Sequence, residues 1–157
     1  MWLSVAGQDA LHFSLLVEHL ATLGHAYGDF PAHDGLWAMT ERAAGDVTAR
    51  TALVPRILEA CGLDVTPPMQ TRLRRRAGRR PARGGDPRII LRDEVGHVAV
   101  GNRWYRWRCQ REGLDPVAHC AVLAERFGAP TLRPPFNKAA RLAAGFTQQE
   151  IDALGTA

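Results

Sequence analysis

The sequence predicts an all-α helical bundle. Three observations carry that expectation. Apolar residues recur at helical spacing through much of the chain, and capping motifs and helix-ending glycines punctuate the pattern. Two segments also pair an acid with a histidine three positions on: Glu94 with His97, and Asp9 with His12. Residues three apart share a helix face. A carboxylate and an imidazole on one face, aimed into a bundle core, are what a carboxylate-bridged di-metal site uses. Both copies read polar, acid, two spacers, histidine: Gln8-Asp9-Ala10-Leu11-His12 and Asp93-Glu94-Val95-Gly96-His97. Asp93 stands where it can hold a partner histidine as a hydrogen-bond acceptor.

A chain of 157 residues, 46% of them hydrophobic, is enough for one core, and residues 1–157 are read as a single domain. No apolar run is long enough to span a membrane. The start, Met1 to Ser4, lacks the basic region of a signal peptide. Cys61, Cys109 and Cys120 have no metal-ligand spacing and cannot all pair, so a reduced, cytoplasmic setting is expected. The net charge of +4 comes largely from one arginine-rich stretch and therefore says little about the domain as a whole.

Residues 3–23 read as the first helix, with Leu11, Leu15, Leu16, Leu20 and Leu23 on its pattern and Gly24 as its stop. His12 and Asp9 lie toward the Leu16 and Leu20 side and are expected to face inward. The pattern is already established at Trp2 with no cap before it, as if another helix should precede it. Residues 24–37 form a loop of turn formers, aromatics, histidines and aspartates. It is read as covering a bundle end, with a substrate-contacting lid as the alternative.

The next helix spans 46–62, capped by Asp46 and kinked at Pro55. Gly62 is expected to stop it, and Pro67-Pro68 to prevent its resumption. Glu59 lies one turn beyond the kink. Alone it reads as a salt-bridged surface residue, but in a four-helix site a Glu on this helix is the expected third ligand. Residues 70–88 lose apolar periodicity in a run of arginines, glycines and prolines. The first turn or two is expected to be helical and the rest an arginine-rich mobile loop. Arginines neutralise phosphates, but no aromatic is interleaved for base stacking, so nucleic acid is disfavoured as a partner.

Residues 88–112 form the central helix, apolar on most of its circumference through Ile89, Ile90, Leu91, Val95, Val98, Val100, Trp104 and Trp107. Buried among these, Asp93 and Glu94 are costly unless paired, hydrogen-bonded or bound to metal. Gly96 and Gly101 are expected to admit a neighbouring helix, and Gly113 to end this one. Asp115-Pro116 then opens a helix to Phe127, with His119 and Cys120 as packing or surface residues. Residues 132–137 cross in extended form. A short helix runs through Leu142, and Thr147 to Glu150 is a capping box opening the last one.

Taken together, the segments 27–37, 52–67, 93–104, 113–116 and 134–137 resemble the DUF455 family of bacterial ferritin-like proteins. That family is similar to the carboxylate di-iron superfamily of ferritins and rubrerythrins. The resemblance implies a ferritin-like helical bundle with extra C-terminal helices. It also implies two iron ions, with manganese as the other metal, and oxidoreductase chemistry of unknown substrate. Matched residue by residue, Glu94 and His97 are the last ligand pair, His12 the earlier histidine and Glu59 the lone Glu. Asp9 stands where the family has Glu.

The family's first bundle helix has no counterpart here. A homo-oligomer, or a helix lent by another chain, is the partner expected to supply it. The alternatives to a metal-binding protein are a non-catalytic bundle with a vestigial site and an RNA-binding protein acting through Arg72 to Arg83. Catalytic residues are not assigned from sequence.

Overall fold

The computed structural model describes residues 1–77 and 87–154, which fold as helices joined by short connections, with no strand among the described residues. The first helix forms as expected: α1 spans Trp2–Thr22, and Gly24 turns the chain after it at φ +81°. Its inward face differs from the expected one. Val5 and His12 are its buried residues, whereas Leu11 and Leu16 are exposed. The loop after it ends early, because Gly35 opens α2 (Gly35–Arg42). The buried pair Met39 and Ala43 gives this helix one apolar stripe, too short for periodicity to reveal.

α3 (Val47–Leu53) starts at Asp46, whose carboxylate accepts from the Ala49 N–H at 2.9 Å. The Pro55 disruption takes the form of a π turn over Val54–Glu59. A proline has no N–H for the ordinary ladder, and the wider turn absorbs the mismatch. The helix then stops neither at Gly62 nor at Pro67-Pro68: α4 runs Ala60–Ala77 through all three. Pro67 cannot donate to the Leu63 carbonyl one turn back, and Asn137 Nδ2 donates to it instead at 3.1 Å. That substitute donor comes from far along the chain, which is why the local pattern misleads. The arginine-rich stretch is thus helical through Ala77. Residues 78–86, where most of the mobile loop was expected, lie outside the described residues.

α5 (Pro87–Glu112) is the central helix, packing on α1, α3, the π turn and α4, and on two later helices, α6 (Pro116–Phe127) and α7 (Lys138–Ala143). It is less enclosed than its composition suggests. Val98, Asn102, Tyr105 and Cys109 are buried, but Trp104 is half-buried and Trp107 exposed. Of its two glycines, Gly101 is a close-approach point and Gly96 is not. A Cβ at position 101 would overlap the Pro55 ring, while position 96 faces open space.

Asp115 caps α6, and Thr147 and Glu150 form both bonds of the capping box that opens α8 (Gln148–Ala153). One apolar core gathers Met39, Leu53, Ile57, Tyr105 and Leu123; another gathers Leu63, Val98, Phe146 and Ile151. A buried polar seam accompanies them. Arg56 donates to Glu150 Oε1 (2.7 Å) and Asn102 Oδ1 (2.8 Å), and Arg141 donates to Asp64 Oδ2 (2.6 Å). The three cysteines are free thiols. No helix among the described residues is long and apolar enough to cross a membrane.

Candidate metal centre

The packing of α1 on α5 sets the two acid–histidine copies against each other. His97 lies on α5 one turn after Glu94, so its ring returns toward that carboxylate: Nδ1 is 3.7 Å from Glu94 Oε1. From α1, Asp9 brings Oδ1 to 3.4 Å of the same nitrogen. Asp9, Glu94 and His97 thus each place a donor atom within 4.8 Å of the other two. Glu59 and His12 stand outside that triad and border it. The Asp9 charge acts on Glu59 and the Glu59 charge on Glu94, and the His12 ring is tilted against that of His97 with centroids 5.8 Å apart.

The electrostatics are those of crowded anions. Burial, reinforced by the charge of Asp9, pushes the Glu59 carboxyl up to about 7. Burial, then the charges of Glu59 and Asp9, pushes Glu94 up to about 7 as well. Burial also lowers the His97 imidazole below its ordinary value, keeping the neutral, metal-binding form. The cluster is therefore short of positive charge, and a cation would relieve it. Side-chain exposure of 58% at Asp9 leaves the site open along α1.

Each imidazole is held from behind by the opposite helix. His12 Nε2 lies 3.1 Å from Asp93 Oδ2 across a buried contact. His97 Nε2 lies 3.0 Å from Gln8 Oε1. In the tautomer that donates from Nε2 to these oxygens, Nδ1 keeps its lone pair. Burial works to raise the Asp93 carboxyl, but hydrogen bonds from Arg92 (2.8 Å) and His12 outweigh it and hold the group below its ordinary value, as an anion. Asp93 thus lies behind the His12 ring. Gln8 was not singled out, although it occupies in the first copy the position that Asp93 occupies in the second.

Among the described residues this is the one such convergence of potential metal ligands. His119 is elsewhere, stacked on Tyr105 with its Nδ1 3.3 Å from the phenol oxygen. Cys120 lines a separate apolar pocket beside Arg56.

Comparison with known proteins agrees with the segments singled out in the sequence. A family model described as "Protein of unknown function (DUF455)" matches residues 1–152. A protein of Haemophilus influenzae described as "Uncharacterized protein" is 46% identical over 151 residues, covering 96% of this chain and 52% of that protein. The chain thus spans about half the length of that relative. No solved structure matches this chain.

Proposed function

We propose that this chain, which belongs to the DUF455 family, is a ferritin-like metal-binding protein of the di-iron type and, when loaded, an oxidoreductase. The observation that carries the reading is the convergence of Asp9, Glu94 and His97 donor atoms within 4.8 Å. Carboxylate and imidazole donors suit iron and manganese, with zinc distinguished by occupancy and geometry. A bound iron pair supplies dioxygen activation. The chain's own residues supply everything else. Glu94 and Glu59 give up protons near neutral pH as a cation arrives, since both carboxyls are held near 7. His12 and His97 offer Nδ1, each fixed in orientation by its acceptor on the other helix. Asp93 remains an anion behind His12 and strengthens it as a donor.

A second reading is favoured by one observation. Asp9 is shorter than glutamate and more than half exposed, which suits a bundle whose site no longer bridges two metals. Metal content per chain after iron loading separates the two, measured beside Glu94→Ala and His97→Ala. About two metals per chain, lost in both variants, support the di-iron reading. About one indicates a half-built centre. None, with the variants as stable as the parent, leaves the non-catalytic bundle. The RNA-binding alternative rests on a stretch of which residues 78–83 lie outside the described residues.

A further inference from the structure

Glu59 belongs to a second feature besides the cluster. It lines an open groove of about 1080 Å³, which also runs along the π turn that carries it. That volume is at the upper end for small-molecule sites, and π turns inside helices recur at functional sites. The groove walls carry aromatic rings and guanidinium groups, beside the carboxylates of Asp46 and Glu59. Trp104 and Trp107 meet edge to face with centroids 5.4 Å apart, forming an apolar corner. Arg42, Arg50 and Arg126 add guanidinium groups.

These arginines are held by neutral partners. Arg42 donates to the Phe127 carbonyl and Arg50 to the Ala44 carbonyl, while Arg126 lies over the Phe127 ring. Their positions are thus fixed while their charge remains available for an anion. Two buried donor atoms of groove-lining side chains, Trp104 Nε1 and Arg50 Nε, have no hydrogen-bond partner among the described residues.

We infer that the groove binds a small anion built on a flat aromatic ring, with the ring against Trp104 and Trp107 and the acid toward the arginines. Its role as the substrate site rests on the metal-centre reading, because Glu59 is the side chain shared by groove and cluster. Aromatic carboxylates and nucleoside monophosphates share this chemistry. Aromatic stacking and cation–π contacts favour the ring, and a guanidinium fork favours either acid.

Isothermal titration of metal-free and manganese-loaded protein tests the inference. The probes are 2-naphthoate, adenosine monophosphate and the uncharged 2-naphthalenemethanol. At least one acid is expected to bind about tenfold more tightly than the alcohol. Whichever acid binds tighter assigns the natural ligand as a carboxylate or a phosphate. Arg126→Gln, at an exposed position, should remove that preference while leaving the alcohol unchanged. Trp107→Ala should weaken all binding.

Equal affinity for acid and alcohol, or an unchanged preference in Arg126→Gln with an unchanged melting temperature, overturns the groove assignment. Metal content measured on the same samples keeps the two readings apart. Metal without anion binding overturns the groove alone. Anion binding without metal keeps the groove and removes its link to a metal centre.

Discussion

Gln8 and Asp93 do the same work on opposite helices. That equivalence was present in the sequence as a shared register, polar residue then acid then histidine. What the register does not announce is that each polar residue serves the other copy's imidazole; this requires α1 and α5 to be packed together. Replacing Asp93 by Ala removes the acceptor behind His12 and leaves a buried ring nitrogen unpaired. The expected cost is about 1–3 kcal/mol by denaturant unfolding, with metal affinity falling about 10- to 100-fold by competition titration.

Glu59 and Glu94 make a separate prediction. Both have folded-state values near 7, above the ordinary 4.5. Their contribution to stability is therefore fully present below 4.5 and is lost as pH rises through about 7. His97, lowered from 6.5, acts in the opposite sense, but only below its ordinary value. From about pH 6.5 to 8 the two carboxyls dominate this cluster. The metal-free protein should therefore melt at a lower temperature at the upper end. Glu94→Gln should flatten that slope and stabilise the metal-free protein at pH 8 by on the order of 1 kcal/mol. A melting temperature that climbs across this window would contradict the crowded-anion description.

At the scale of elements, the decisive pieces are the π turn and α1. The proline in the second helical segment predicted a disruption at the right residue. Its outcome, a wide turn followed by continued helix, depends on Gly101 of α5 receiving the Pro55 ring. Gly101→Ala has no room for its methyl group against that ring, and the expected destabilisation is about 1–3 kcal/mol. Gly96→Ala is the control. It should be neutral or slightly stabilising, because the site is open and alanine is the better helix former.

The seat of α1 on α5 is largely polar. Its buried residues are Val5 and His12, and its named contacts with α5 run through His12–Asp93, Gln8–His97 and Asp9–His97. Few apolar contacts mean a low local opening energy. Amide hydrogens of α1 should exchange faster than those of α5, and iron or manganese should slow α1 selectively. Uniform slowing throughout the molecule would argue against the site lying between these two helices.

For the whole molecule, the all-α class was legible because helical periodicity, caps and glycine stops all agreed. Where they failed at Pro67, a distant residue, Asn137, had supplied the donor that the local sequence lacked. The polar seam was illegible for the same reason. Nothing near Arg56 or Arg141 identifies Glu150 or Asp64 as its partner. Removing one member, as in Asp64→Ala, leaves Arg141 buried and unpaired, and should cost about 3–5 kcal/mol. One flank of α1 also behaves as a property of the whole. Trp2, Phe13 and Leu16 lie on it exposed. Exposed apolar surface of this kind promotes association. Sedimentation velocity should show concentration-dependent self-association that Leu16→Glu reduces. A monomer at every concentration would mean that the flank is too small to drive pairing.

The reciprocal holding of the imidazoles is not quite even-handed. His12 leans on a carboxylate, His97 on a neutral amide. A carboxylate behind an imidazole enriches its electron density more than an amide does, so the two rings differ in donor strength. Two ions bound there would occupy inequivalent positions. The one beside His12 would be the more electron-rich and easier to oxidise, and the one beside His97 the more readily lost. Mössbauer spectra of an iron-loaded sample should then show two resolved quadrupole doublets, and Asp93→Asn, which replaces the carboxylate with an amide, should draw them together.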